Sequence, residues 1–311
     1  MTPSIFATEW APRNLQSDKY RLSLKGLFQK VRNLGAPYVH LVYHWNFDRE
    51  DISRIQDLKD TYGIGVSCVH SLTLLNRPNS GDKLVAERAQ LMDSIRFARA
   101  FDSAFVACNF GTNTSRDEAT AIRECKTHYA DCFRMAADQG VTILVENTCT
   151  FDLVEITATA DGVRKLIERV DSPSFKFHFD PGNMHSAQEE AYPYGYEHLK
   201  EHIRFLHVKD MAKFDPNLDL HRRATKANKH IETHTNVSVS VPLGQGALNW
   251  DGLFASLIRD GFDGFFDIEP HTVEDKLDEF YQCALRFYTE HTETETALYQ
   301  SAQLSIPLET T

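Results

Sequence analysis

Short apolar runs rich in Val, Ile and Phe recur along this chain, each separated from the next by a longer stretch of helical character. They are SIFATEW, YVHLVYH, GVSCVHS, SAFVACNFG, VTILVENT, FKFHFDPGN, FLHVKDM and FFDIEPH. Runs of this length are long enough for strands and too short for typical helices. A helix after each strand carries the chain back to its starting end, so consecutive strands pair in parallel. Eight such units, with no G-x-G-x-x-G after the first, favour a closed (β/α)8 TIM barrel over an open doubly wound sheet. We expect one barrel domain over residues 1–290.

The intervening segments support this. DKLVAERAQLMDSIRFARAF reads as one helix, and EATAIRECKTHYADCFRMAADQG as another that ends on a glycine able to cap it in the left-handed region. Near the end, Leu277, Phe280, Tyr281, Ala284, Leu285 and Tyr288 fall three and four apart, making one apolar stripe for packing on the barrel. Two regions depart from the short-loop pattern. The polar stretch Ala212 to Val241 is far longer than an ordinary β/α connection and follows the seventh strand, on the face where barrel active sites lie. It reads as a lid, an oligomer contact or a mobile insertion. Residues 291–311 read as a solvated C-terminal tail.

Composition narrows the partners. A formal net charge of −11 on 311 residues repels polyphosphate backbones, so nucleic acid is not an expected partner. The opening MTPSIFATEW has no basic segment leading into a long apolar one, and no run approaches a membrane span, so a cytoplasmic location is expected. Six cysteines (Cys68, Cys108, Cys125, Cys132, Cys149 and Cys283) show no C-x-x-C spacing and suit buried thiols in a reducing compartment.

The most informative residues are the charged ones that interrupt apolar strands. Glu146 in VTILVENT, Asp180 in FKFHFDPGN, His207 in FLHVKDM and Glu269 in FFDIEPH all fall at the carboxyl ends of consecutive strands, where barrel enzymes carry their catalytic groups. Taken singly, Glu146 can pair with a lysine such as Lys209, Asp180 can cap the next helix, and His207 can be a core histidine. Taken together, three carboxylates converging on one barrel mouth repel, and burying them unpaired costs several kcal/mol per ion. A divalent cation removes the difficulty. This oxygen-rich set suits Mn2+ or Mg2+, with Co2+ or Zn2+ also compatible.

The motifs LVENT, HFDPGNMH, HVKD, PLGQGALNW and DIEPH, in this order, resemble the xylose isomerase-like barrel superfamily, in its sugar phosphate isomerase/epimerase branch of ketose 3-epimerases, inosose dehydratases and hydroxypyruvate isomerases. The resemblance runs from about Ser4 to about Tyr288. It implies a metal quartet of Glu146, Asp180, His207 and Glu269, with Glu146 and Glu269 also serving as acid and base. The family often has histidine where this chain has Asn183, which implies an altered contact to a substrate hydroxyl. The related endonuclease IV branch, which cuts DNA with three zinc ions, needs further histidines. His70 fits one, but Asn109 and Asn183 stand at two others, and Asp219 with His221 only echoes that branch's later D-x-H element.

The chemistry implied is removal of a proton next to the carbonyl of a ketose or keto-sugar, which needs a base on carbon and an electrophile on oxygen. Returning the proton to the opposite face gives an epimerase, returning it to the neighbouring carbon gives an isomerase, and loss of a β-hydroxyl or glycosidic group gives a lyase. Lys209 shares strand parity with His207 and points inward. With Asn183, His185, His70, Asn109 and Trp10 it makes up the expected substrate contacts. Tyr43, Trp45 and Phe110 are further wall candidates, and His271, just after Glu269, reads as an orienting or additional acid/base group or as a surface histidine. The Gly244 and Gly246 pair reads as a tight turn, while Lys213, Arg222 and Arg223 are available to hold a substrate phosphate. The partner is a small sugar-like molecule, and branch members often form homo-oligomers.

Overall fold

A computed structural model describes residues 1–10, 21–76, 81–111, 117–148, 155–233 and 236–304, the last ten as backbone alone. Cys149 and residues 305–311 lie outside the described residues. Eight strands, β1 (Thr2–Phe6), β2 (Tyr38–Val42), β3 (Gly65–Leu74), β4 (Phe105–Asn109), β5 (Thr142–Glu146), β6 (Phe175–Phe179), β7 (Ile203–Val208) and β11 (Phe265–Ile268), form a closed parallel barrel. Closure is made by β1, which pairs with β2 on one side and β11 on the other.

Each strand buries both faces. Outward side chains such as Val39, Val66, Val106, Ile143, Phe177 and Phe266 join the helices in one large core. Inward positions behave differently along the barrel axis. Cys68, Ala107, Leu144 and Phe205, with Phe105 and Phe265 against them, fill the lower interior with a small apolar plug. One step up the pleat, the inward side chains become His40, His178 and Asp267, and one step further they are the candidate site residues.

The helices match the sequence reading with one exception. The segment read as one helix after residue 117 breaks at Tyr129 into Glu118–His128 and Ala130–Asp138. Tyr129 is buried in the core and its hydroxyl reaches the carbonyl of Leu74. The final helix packs Leu277, Phe280, Tyr281 and Ala284 onto the barrel and runs on to Leu304, so the segment after His291 starts as helix.

The long polar stretch after β7 is folded. Strands β8 (Asp210–Lys213), β9 (His230–Glu232) and β10 (Val237–Val241) form an antiparallel sheet in the order β8, β10, β9, with helix Asp219–Lys226 between β8 and β9. Alternation in VSVSV supplies the strand signal that the overall polarity obscured. Ser238, Val239, Ser240 and Val241 are all buried.

Candidate active site

At the carboxyl ends of the barrel strands, one ligand atom each from Glu146, Asp180, His207 and Glu269 lies within 4.8 Å of the others. Glu146 closes β5, Asp180 follows β6, and His207 stands one residue before the end of β7, while Glu269 follows β11 directly. His207 Nδ1 faces all three carboxylates, 3.2 Å from Glu146 Oε1, 3.6 Å from Glu269 Oε2 and 3.9 Å from Asp180 Oδ2.

Local sequence fixes these positions. Asn147 and Asp180 exchange two hydrogen bonds: Asn147 Nδ2 donates to the Asp180 carbonyl at 2.8 Å, and the Asp180 N–H donates to Asn147 Oδ1 at 2.7 Å. That staple locks the end of β5 to the end of β6. Asp180 Oδ1 also accepts from the Asn183 N–H at 2.9 Å, capping helix Pro181–Ser186, while Oδ2 faces the cluster. Capping and clustering are therefore done by opposite oxygens of one carboxylate. Asn183 Nδ2 donates to the Asn147 carbonyl and reaches Glu146 Oε1 at 3.3 Å. Asn109 Nδ2 donates to Glu146 Oε2 and its own Oδ1 meets His70 Nε2, both at 3.2 Å.

Lys209 supplies the fixed positive charge. Its Nζ lies 2.8 Å from Asp180 Oδ2 and 2.7 Å from Glu269 Oε2. Burial by itself would raise the Glu269 carboxyl, but the Lys209 ammonium and His207 outweigh burial and hold it well below the usual carboxylate range. Glu146 is likewise held low by His207 against its own burial, and burial keeps Asp180 above its ordinary value. Once the His207 imidazole is neutral, as a metal ligand must be, three carboxylates against one ammonium leave a net charge that a divalent cation would neutralise. The donor set is hard and oxygen-rich, which fits such an ion.

A cavity of about 300 Å3 opens onto this cluster. Its lining includes Glu146, Lys209, Glu269, Asn183, Asn109 and His70 among the expected residues, with Trp45 and His271 in its walls. Trp10 does not line it. After β1 the chain turns outward through Ala7–Glu9, and the indole is buried against Tyr281, 5.1 Å between ring centres. His185 is also absent from the lining, because helix Pro181–Ser186 carries it away from Asp180 towards Asp210. Arg222 and Arg223 point to Asp219 and Asp275 on the surface. Tyr43 and Phe110 are buried outside the lining.

The sequence reading missed two groups. Phe6, Thr8, Leu72 and Thr148 join the walls, and His230 with Ile231 of β9 forms part of the rim. The inserted sheet is anchored by a buried ion pair between Lys229 Nζ and Glu9 Oε2 at 2.5 Å. Its base is anchored by Asp210, whose Oδ2 accepts the N–H groups of Gly244 and Gly246 at 3.0 and 2.8 Å. Gly244 has φ +82°, and a Cβ on Gly246 would stand 2.1 Å from Asp210 Oδ1, so both glycines serve this turn. Below the cluster lies the second group, His40, His178 and Asp267, all fully buried.

The sequence profile of the xylose isomerase-like TIM barrel family matches residues 28–291, and the chain belongs to that family. Among solved structures it is similar to a D-tagatose 3-epimerase-like protein, at 17% identity over 96% of this chain and 100% of the other, with TM-score 0.72. It is similar to the probable 3-DHS dehydratase AsbF, involved in petrobactin synthesis, from Bacillus anthracis (16% identity, 93% and 99% covered, TM-score 0.69). A third is a xylose isomerase-like TIM barrel protein from Mycobacterium smegmatis in complex with magnesium (15% identity, 94% and 98% covered, TM-score 0.68). At such identities the likeness is one of fold. No curated protein matches the sequence.

Proposed function

We propose that this chain is a divalent-metal-dependent epimerase or isomerase that moves a proton beside the carbonyl of a ketose or keto-sugar. The observation that carries the reading is the convergence of Glu146, Asp180, His207 and Glu269 within 4.8 Å at the mouth of a barrel cavity of about 300 Å3. These four would hold one divalent cation, Mn2+ or Mg2+ by donor chemistry, and the similar Mycobacterium smegmatis structure, solved in complex with magnesium, supports that choice. When bound, the ion polarises a carbonyl and orients the oxygens beside it.

The remaining chemistry belongs to the side chains. Glu146 and Glu269 are carboxylates held ionised at neutral pH, so each can accept a proton from carbon. They come from β5 and the end of β11, three strands apart around the barrel, which supports their approaching substrate from different directions. One removes the proton and the other returns it. Lys209 keeps its proton, since Asp180 and Glu269 beside it outweigh burial and raise its pKa, so it acts as a fixed positive charge and hydrogen-bond donor to substrate oxygen. Asn109, Asn183 and His70 present further polar atoms to hydroxyl groups, while Phe6, Leu72, Trp45 and Ile231 supply apolar walls. The cavity volume of about 300 Å3 suits a substrate of monosaccharide size.

The test is proton NMR of the Mn2+- or Mg2+-loaded protein in D2O with ketoses, inososes and 3-oxo glycosides. Deuterium beside the carbonyl in a product of unchanged composition supports the proposal. Loss of water or of an aglycone makes the enzyme a lyase instead. No exchange with any of these substrates, with metal bound, removes the substrate class.

A further inference from the structure

Directly beneath the cluster, Asp267 stands opposite His207 in the β11 and β7 register and is fully buried. Its Oδ2 shares a 2.8 Å hydrogen bond with His40 Nδ1 and lies 3.3 Å from His207 Nε2, within ion-pair distance but not aligned as a hydrogen bond. His40 comes from β2, on the other side of β1, so three strands contribute to this arrangement. The Phe6 ring stacks on both imidazoles, with centres 4.3 Å from His40 and 4.8 Å from His207.

A fully buried carboxylate costs several kcal/mol unless charge and hydrogen bonds compensate it. Asp267 has compensation on one oxygen only, since Oδ1 has no hydrogen-bond partner. A side chain chosen only to fill the barrel would be apolar, as in the plug of Cys68, Ala107, Leu144 and Phe205 a step below. What Asp267 does gain is a place 3.3 Å from the imidazole of a candidate ligand. A proton held on Nε2, facing this carboxylate, leaves the Nδ1 lone pair of His207 directed at the space shared by Glu146, Asp180 and Glu269.

We propose that Asp267, backed by His40, is a positioning residue that sets the tautomer and ring orientation of His207 for cation binding. Outer carboxylates that hold a ligating histidine raise its basicity, and their loss weakens metal binding roughly 10- to 100-fold. The inference rests on the metal-site reading above and adds two residues to it. His40, His207 and Asp267 also lie close enough together to suggest a second cation position. Against that, Asp267 Oδ2 is already hydrogen-bonded to His40, and His40 Nδ1 is thereby turned into the contact rather than towards an ion.

Mn2+ titration, followed by the loss of the free-ion electron paramagnetic resonance signal, tests this without any substrate. The wild-type chain, Asp267→Asn and Asp267→Ala are compared, with urea unfolding of each in EDTA. The expected result is one Mn2+ per chain in all three, with affinity lowered roughly 10- to 100-fold in the variants. Wild-type affinity in both variants overturns the inference while leaving the metal site standing. Two ions in the wild type and one in the variants make Asp267 a ligand and also overturn it. Absence of Mn2+ binding by the wild type removes the metal reading and this inference together. If neither Asp267 variant folds, His40→Asn tests the same arrangement from its far end: about tenfold weaker Mn2+ binding supports it, and unchanged binding overturns it.

Discussion

Lys209 Nζ lies 2.7 Å from Glu269 Oε2, so a carboxylate of the candidate cluster is neutralised by a side chain two strand positions from His207. A cation entering the cluster meets that ammonium as a neighbour of like charge. Replacing Lys209 with Met therefore should leave Mn2+ affinity unchanged or higher, while turnover falls at least about 10-fold through loss of the donor to substrate oxygen. Calorimetric titration with Mn2+ alongside the D2O exchange assay checks both signs. Weaker Mn2+ binding in Lys209→Met would mean that the lysine acts by shaping the ligand set.

Glu269 follows its strand and contributes nothing to the packed layers below. Glu269→Gln takes one of two carboxylate partners from the buried Lys209, which keeps Asp180, so it is expected to lose up to about 3 kcal/mol in urea unfolding in EDTA. Turnover should drop by about 100-fold or more, the usual consequence of removing a general acid or base. Full turnover with metal retained would remove the residue from the mechanism.

The Glu9 and Lys229 pair is fully enclosed, with Glu9 at 0% exposure. Breaking it from the lysine side strands a buried carboxylate. Lys229→Met should cost about 3 to 5 kcal/mol in urea unfolding, and adding Glu9→Gln should restore much of the loss, because the stranded charge goes with it. Equal stability of the single and double variants would show that the pair is not what anchors the insertion.

His70 carries a pH dependence. Burial brings its pKa from 6.5 down to about 4. The unfolded chain thus binds a proton between pH 6.5 and 4 that the folded chain refuses, and stability falls as pH is lowered through that window. The contribution is of order 3 kcal/mol, from about 1.4 kcal/mol per unit. Urea unfolding in EDTA at pH 7 and pH 4.5 should show a smaller difference for His70→Asn than for wild type. An identical difference would assign the effect to the other buried histidines, His40 and His178, whose pKa values burial also lowers.

The barrel and the four cluster residues were legible because each is announced locally. A charged residue ending an apolar strand breaks the pattern within a few positions, as Glu146 does in VTILVENT. Asp267, His40 and His178 were equally open to reading by parity, since Asp267 and His178 stand two residues before Glu269 and Asp180 on the same faces. They were passed over because they sit inside the strands, where a polar residue looks like an exception rather than part of a layer. Trp10 misled for the opposite reason: nothing in its neighbours shows that Ala7–Glu9 turns the chain outward. His230 and Ile231 reach the cavity only through the tertiary pairing of β9 with β10, which no local pattern announces.

The inserted sheet begins and ends at one place. Asp210 and Val241 are antiparallel partners, so the chain leaves the barrel and re-enters it side by side. A segment with adjoining ends is a cassette: its interior can be shortened, lengthened or exchanged with little change in where β7 stops or the Gly244 turn starts. Grafting a different cassette between residues 211 and 240 would thus alter the rim formed by His230 and Ile231 and leave the four strand-end residues below it in place.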